Sequence, residues 1–470
     1  MKKLILLLMG IIVTTCFGGI TVKNIKFMGW NGIEVNNGLI KVIVLKDIGG
    51  RIVKYIDDKT GDNYLRMVPW NLKIPPDKLI DTGNYGGISD IGTTGWPGYF
   101  WDKKYSFTIN KSPDKVILTG KCKSDGIEII RNMEIKSNST KLKFFITQKN
   151  ISPHPISMII RLHGEFKVGK RADRNDVYEW IYKGKLNKRR YRPSDLIRFS
   201  IDKVDDGWSG VIDEKGNKVL IRTYPPYNKT HNIFWWAGFY EGDPNLPVRN
   251  NKGGFYNFER YPNPVTVQPG QSISQKDGMF ILNNMDSLAF VKDNLAGGLK
   301  ISKNLVGNEG LNAIFSIGSP DETENTIMKI SVSVFDGNKL LLEQTKQVKN
   351  LKTGEGENII FNIPTKDFAD GKYKITASLL KGREEIYKIS KEFQINKELI
   401  EKYKKMIENE EKGLQEIKGE NYPFPEWRGL ITYLIKKQKD YFYKGEYDKL
   451  GKNNKSVMKY IEKALEETKK

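Results

Sequence analysis

The chain has 470 residues, of which 39% are hydrophobic and 11% aromatic, so it is not disordered over most of its length and is long enough for several domains. With 3 His and 2 Cys it cannot build a zinc finger, an iron–sulfur cluster or a disulfide-rich scaffold. The net charge of +21 fits an acidic polysaccharide partner, but a generally Lys-rich composition explains it as well. No nucleic-acid-binding motif accompanies this charge, so we predict no nucleic-acid partner.

Residues 1–20 have the pattern of a secretory signal peptide. Lys2 and Lys3 precede an apolar stretch over residues 4–13, and small residues follow. This stretch is shorter than the roughly 20 residues that span a bilayer. We therefore expect export to the periplasm, the outer cell surface or the medium. Cys16 lies where a bacterial lipoprotein carries its lipid, and two outcomes stay open: a lipid anchor on Cys16 as the only membrane attachment, or simple cleavage.

The pattern of residues 21–295 predicts a large antiparallel β-sandwich. Short segments such as residues 41–45, 115–119 and 127–131 are apolar or alternate with period two, as strands do. Turn-forming residues separate these segments about every ten positions, and long amphipathic helical patterns are absent. This arrangement favours a two-sheet, mainly β architecture over an α/β fold.

Two further regions follow. Residues 296–395 contain strand-like segments such as 327–334 and 372–380, and their number and length favour an immunoglobulin-like β-sandwich. Residues 396–470 change to helical periodicity, with breaks near Pro425 and Gly445. We predict a small α-helical hairpin or bundle there, whose apolar stripes pack against a neighbouring domain or bind a protein partner.

Several segments between residues 30 and 285 resemble, in order and spacing, the galactose mutarotase-like (aldose epimerase-like) superfamily. The segments are residues 37–52, which end in Gly-Gly-Arg-Ile, and residues 84–97, 162–166, 255–259 and 269–272. The resemblance implies that residues 21–295 form that superfamily's supersandwich, with a sugar-binding cleft. The chain is most similar to members that share the Gly-Gly-Arg-Ile opening and have no established activity.

The resemblance also implies catalytic roles for Glu259 and His163. An aldose epimerase needs a base for the anomeric hydroxyl and an acid for the ring oxygen, and these positions match Glu259 and His163 respectively. The chain departs from the family pattern because residues 96–105 contain no second histidine and because Gly164-Glu165 follow His163. The alternatives are structural: a buried, hydrogen-bonded His163, and a Glu259 in a solvated ion pair.

Two arginines and two aromatic clusters are the candidate sugar-binding residues. Arg161 lies two positions before His163 and therefore shares its strand face, whereas Arg51 follows the Gly-Gly turn and either reaches a sugar or ties down a loop. The aromatic candidates on two Gly- and Pro-rich loops are Trp96, Trp101, Trp235 and Trp236. Flat rings stack on the apolar faces of sugars, but the same rings could equally close the ends of the sandwich as core.

Three functions remain open from the sequence. The first is an exported carbohydrate-binding protein that holds a glycan in the cleft by aromatic stacking. The second is a carbohydrate-active enzyme, namely an epimerase, lyase or hydrolase that uses Glu259 and His163. The third is a structural cell-envelope protein that assembles through its C-terminal helices. The sequence shows no metal-ligand cluster, and we predict neither a metal nor a cofactor.

Overall fold

The computed structural model describes residues 19–66, 86–92, 98–169, 172–173, 175–182, 185–192, 196–201, 207–224, 231–238, 255–323, 327–416, 425–443 and 447–467. Within these residues the protein is mainly β, with helices confined to the C-terminal region, which confirms the predicted fold class. None of the described helices combines the length and apolar character that crossing a membrane requires.

The first region consists of short strands connected by turns. In chain order its described strands are β1 (Thr21–Phe27), β2 (Trp30–Asn36), β3 (Ile40–Leu45), β4 (Ile52–Asp57), β5 (Gly87–Asp90), β6 (Ser106–Lys111), β7 (Lys115–Ser124), β8 (Ile127–Lys136), β9 (Leu142–Asn150), β10 (Ile156–Met158), β11 (Leu162–Glu165), β12 (Asp176–Tyr182), β13 (Lys185–Arg190), β14 (Leu196–Ile201), β15 (Trp208–Asp213), β16 (Lys218–Thr223), β17 (His231–Gly238), β18 (Phe255–Pro262), β19 (Val265–Val267) and β20 (Ser272–Asn283).

Two sheets enclose the core of this region. One sheet has the order β1-β2-β3-β4-β5-β11, and the second runs through β6-β7-β8-β9-β20-β16-β15-β12-β13. All of these pairings are antiparallel. Alternate residues of both sheets, such as Val42 and Leu118, meet in one buried apolar cluster. Cys122 on β7 is buried and free. The sandwich forms because period-two alternation gives each sheet one apolar face.

The second region contains two further groups of strands. Its described strands are β21 (Phe290–Lys292), β22 (Leu295–Ile301), β23 (Leu305–Val306), β24 (Leu311–Ser319), β25 (Ile327–Asp336), β26 (Lys339–Lys349), β27 (Glu355–Ile363), β28 (Gly371–Lys381) and β29 (Glu384–Ile395). Strands β21-β22-β24-β27 continue the large sheet, and β23-β29-β28-β25-β26 form a separate one. Both groups contribute to a second apolar cluster, which includes Phe315 and Val332. The immunoglobulin-like assignment and the three domain boundaries stay predictions.

Three helices follow: α1 (Lys397–Glu416), α2 (Pro425–Tyr443) and α3 (Tyr447–Glu467). Asn396 caps α1, because its Oδ1 accepts a hydrogen bond from the Leu399 N–H at 2.9 Å. Pro425 is the first residue of α2, a position where the missing N–H costs nothing. The predicted apolar stripes pack against one another, with Ile431 and Val457 in one shared cluster. A second cluster joins the helices to Leu305 of β23.

Candidate functional site

The candidate site lies on one face of β11. The backbone of β11 pairs with β5, with His163 opposite Ser89 and Glu165 opposite Gly87. Because side chains alternate along extended chain, Arg161, His163 and Glu165 point to the same side. All three side chains are almost fully buried. The local sequence therefore places two charged groups and one imidazole on a single buried face.

Strand β18 brings the second half of the site. Phe166, directly after β11, exchanges backbone hydrogen bonds with Tyr256 at 2.7 and 2.9 Å, so β18 lies beside the end of β11. Asn257 and Glu259 are two positions apart on β18 and share a face for the same reason as the β11 residues. Both are buried. The predicted pair, Glu259 and His163, is thus brought together from positions 96 residues apart.

The Glu259 carboxylate is the centre of the hydrogen-bond network. Arg161 binds it in a bidentate manner, with Nε donating to Oε2 at 3.0 Å and Nη2 donating to Oε1 at 2.9 Å. Asn257 Nδ2 donates to Oε1 at 3.0 Å. His163 Nδ1 lies 3.3 Å from Oε1 and 2.9 Å from Asn257 Nδ2. The predicted alternative of a solvated ion pair is therefore wrong in one respect, since the Glu259 side chain is completely buried.

These contacts shift the pKa values of Glu259 and His163 in opposite directions. Burial alone would raise the pKa of Glu259, but the Arg161 guanidinium and then His163 outweigh it and hold this pKa well below its ordinary range. Burial would lower the pKa of His163, but Glu259 and then Glu165 raise it above the ordinary value of histidine. Glu259 is therefore an anion at all physiological pH values, and His163 is the group of this pair that titrates closer to neutrality.

A second carboxylate, Glu165, lies on the other side of His163. Arg66 Nη1 donates to Glu165 Oε2 at 2.5 Å, and both side chains are more than nine-tenths buried. Burial opposes ionisation of Glu165, but Arg66, His163 and Arg51 together lower its pKa. The site thus contains two arginine–carboxylate pairs with one imidazole between them.

Arg51 and Trp101 pack together behind the site. The Arg51 guanidinium lies 4.0 Å from the centre of the Trp101 ring and donates to the carbonyl oxygens of Gly86 at 2.7 Å and Trp101 at 3.4 Å. Arg51 is fully buried, and these contacts tie down the two loops that meet there. Trp101 is 1% exposed and packs in an apolar cluster with Leu45 and Ile91, as the core alternative for this ring predicts. Its ring centre is still 5.8 Å from that of His163.

Asp90, at the end of β5, forms a buried ion pair with Arg131. It accepts a hydrogen bond from Arg131 at 2.7 Å and one from the Tyr105 hydroxyl at 3.1 Å. Burial is the main influence on its pKa and raises it, with Arg131 opposing this effect. No group of three or more potential metal ligands occurs in the part of the chain that the structure describes.

Some candidates lie outside the described residues. Cys16 and Trp96 are among them, and so are the side chains of Trp235 and Trp236. The backbone of β17, which carries the last two, pairs with β18 so that Trp236 is opposite Asn257. Their roles in lipidation and sugar stacking stay predictions.

Sequence reasoning missed three residues of the network: Glu165, Asn257 and Arg66. Alternation could have found the first two, because they are two positions from His163 and Glu259 on the same strands. Arg66 reaches Glu165 across 99 residues, and no local pattern indicates such a pair.

No protein-family model matches the chain, and no curated protein matches it. Solved structures that resemble part of it include a TPR-domain-containing protein from Parabacteroides distasonis, with 11% identity over 54% of this chain and a TM-score of 0.41. The chain spans about half of that protein's length, namely 47%.

Two galactose mutarotase-type proteins are also similar. A galactose mutarotase-like protein from Clostridium acetobutylicum shares 13% identity over 56% of this chain and 99% of its own, with a TM-score of 0.41. A galactose mutarotase related enzyme from Lactobacillus acidophilus shares 11% identity over 55% of this chain and 100% of its own, with a TM-score of 0.36. Identities and TM-scores this low carry no conclusion about activity.

Proposed function

We propose that this chain is an exported carbohydrate-binding protein that holds a sugar against the face of β11 and β18. The observation that carries the proposal is the layering of the site. Arg161 and His163 each keep a small exposed area, 9% and 8% of the side chain, whereas Glu259 has none. A sugar would therefore meet the arginine and the imidazole, with the carboxylate behind them as their anchor.

The state of Glu259 favours binding over catalysis. A general base works best when its pKa lies near the operating pH. Arg161 and Asn257 donate to Glu259, and its lowered pKa makes it a weak base. In this arrangement Glu259 orients Arg161 and His163, and a fixed donor array of that kind suits recognition of hydroxyl or carboxylate groups.

The charge of the site favours an acidic sugar. Three arginines, Arg51, Arg66 and Arg161, stand against two carboxylates, Glu165 and Glu259. The raised pKa of His163 adds further positive charge near neutral pH. Removal of this excess by a uronate carboxylate would stabilise the complex, because charges interact strongly where water is excluded.

An epimerase-like enzyme is the second candidate, and one observation favours it. His163 Nδ1 lies 2.9 Å from Asn257 Nδ2 and 3.3 Å from Glu259 Oε1, so the imidazole can accept from Asn257 when neutral and donate to Glu259 when protonated. A group with two such states can transfer a proton to a sugar ring oxygen. Envelope assembly stays a third hypothesis; the helical apolar stripes that it would use pack inside the bundle.

Saturation-transfer proton NMR on the full chain tests the proposal. The sugars are galacturonate and glucuronate with their neutral counterparts galactose and glucose. We expect contact with the uronates, weakened by Arg161→Lys and His163→Gln and unchanged by His154→Gln, which alters an exposed histidine. Absence of contact with every sugar would refute the proposal. Faster anomeric exchange that His163→Gln abolishes would establish the enzyme instead.

A further inference from the structure

The outer face of the strands β6, β7, β8, β9 and β20 is strongly basic. Inward residues of these strands, such as Leu118 and Ile146, form the core, so the alternate residues face outward. The outward lysines are Lys115, Lys121, Lys123, Lys136, Lys143, Lys149 and Lys276. Only two outward acids, Glu128 and Glu134, lie on the described strands of this face, so its net charge is +5.

Both of these acids are already neutralised by neighbours. Glu128 pairs with Lys123 at 3.5 Å, and Glu134 pairs with Lys143 at 3.4 Å. The remaining five lysines are distributed along four strands, β7, β8, β9 and β20. An anionic partner would therefore meet positive charge across the whole face.

A groove of about 790 Å³ crosses this face at right angles to the strands. The strand register places most of its lining residues in two adjacent rows, the first from β7 to β20 and the second from β6 to β16. One row is Thr119, Asn132, Phe145 and Lys276, and the other is Asn110, Ile117, Glu134, Lys143, Gly278 and Thr223. Six strands about 4.8 Å apart give a groove roughly 24 Å long, enough for several sugar rings in a row.

The floor of the groove has the chemistry of a sugar subsite. Phe145 lies at the centre of the groove, between Asn132 on β8 and Lys276 on β20, and is 41% exposed. Thr119 Oγ1 donates to Asn132 Oδ1 at 2.7 Å, which fixes the amide beside the ring. Gly278 leaves space in the groove beside Thr223, because a Cβ at this position would lie only 2.6 Å from Thr223 Oγ1. One flat ring with hydrogen-bonding neighbours suits the apolar face and polar rim of a sugar.

We propose that this groove is a second binding site, separate from the site around His163, and that its ligand is a linear acidic polysaccharide. The lysines bind the carboxylates of the polymer, Phe145 stacks on one sugar ring, and the groove directs the chain across the strands. A single-stranded nucleic acid is less well matched, because it stacks successive bases on several rings and Phe145 is the one exposed ring among the groove residues.

The test is binding of the full chain to polygalacturonate by isothermal titration calorimetry. We expect binding that weakens steeply with added salt, and no binding to the neutral polymer dextran. Replacing Lys143, Lys149 and Lys276 together by Gln is expected to weaken binding about ten-fold or more. Phe145→Ala is expected to weaken it about five-fold. The matched control replaces the exposed Lys329, Lys374 and Lys402 by Gln, and its affinity should stay within about two-fold of wild type.

Several outcomes would overturn the proposal. These are an equal loss in the control variant, an unchanged affinity in Phe145→Ala, or binding to an oligo-dT strand or to phosphatidylglycerol vesicles as tight as binding to the polysaccharide. Thermal unfolding of each variant shows that it is folded, and the altered side chains are all on the surface. Arg161→Lys weakens uronate contact at the other site. In that background the triple lysine replacement and Phe145→Ala should still weaken polymer binding by the same factors, so the two proposals fail separately.

Discussion

Replacing Glu410 with glutamine is expected to remove most of the pH dependence of the stability of the helical region. Glu410 on α1 is fully buried among the three helices. Gln438 of α2 and Asn454 of α3 donate to its Oε1 at 2.7 and 2.6 Å. Burial raises the pKa of Glu410 to about 7, and these two hydrogen bonds oppose the rise. The folded helices therefore hold a neutral carboxyl group well above the pH at which an unfolded chain ionises.

The size of the effect follows from the two pKa values. Because the folded pKa is raised, the stabilisation from protonated Glu410 is complete below about pH 4.5 and is lost as the pH rises through about 7. A difference of about 2.5 pKa units corresponds to about 3 kcal/mol of unfolding free energy, most of it lost between pH 5 and 8. In a region of this size the loss lowers the unfolding midpoint by about 10 °C or more.

The unfolding midpoint of the helical region is measured at pH 5, 6, 7 and 8 by thermal unfolding, followed by circular dichroism at 222 nm, where helices dominate the signal. In Glu410→Gln the amide oxygen still accepts from Gln438 and Asn454, and there is no charge to bury. Its midpoint should therefore vary little with pH and should exceed that of wild type at pH 8. Glu408→Gln changes an exposed residue of the same helix and should behave as wild type. The same pH slope in Glu410→Gln and wild type would refute the reasoning.

Three other predictions concern the β11 face. Arg66→Met should lower the unfolding free energy in urea by about 3–5 kcal/mol, because Glu165 loses its buried guanidinium partner, and adding Glu165→Gln should restore a large part; no recovery in the double variant would contradict this. The NMR titration of the His163 ring should show a pKa above the ordinary value that falls in Glu259→Gln, and an unchanged midpoint would exclude Glu259 as its cause. Gly87→Ala should lower the unfolding free energy more than Gly61→Ala. Both glycines have a positive φ, 72° and 73°, so the backbone strain is matched. Only at Gly87 would the added Cβ meet a backbone oxygen, that of Ile52 at 2.2 Å. Equal losses of unfolding free energy would show that close approach is not the cause.

The strands and helices could be predicted from the sequence where periodicity was strong. Residues 115–119 and 327–334 lie within β7 and β25, and the helical breaks near Pro425 and Gly445 are where α2 and α3 begin. Sequence alternation also indicated that Arg161 and His163 share a face. These features depend on local period and on proline geometry, which a single sequence contains.

The burial and pairing of the site could not be predicted in the same way. Trp101 lies in a loop rich in Gly and Pro, and only tertiary packing, in an apolar cluster with Leu45 and against the Arg51 guanidinium, shows that it is covered. The bidentate pair of Arg161 with Glu259 joins positions 98 residues apart. That pair determines whether Glu259 can be a base. The chemistry of the site therefore depends on tertiary contacts that strand patterns do not encode.

Strand β20 changes neighbours along its length: its first part pairs with β9, its second part with β16, and Asn283 at its end pairs with Glu355 of β27. The Asn283 N–H donates to the carbonyl of Gly354 at 2.9 Å, and the Thr140 N–H donates to that of Pro320 at 2.9 Å. The second region thus covers the part of the β20 edge that β9 does not pair with. A shortened form of this protein that ended near residue 295 would expose backbone donors on a long strand, an open template for self-association. Such a shortened form would therefore be prone to aggregate.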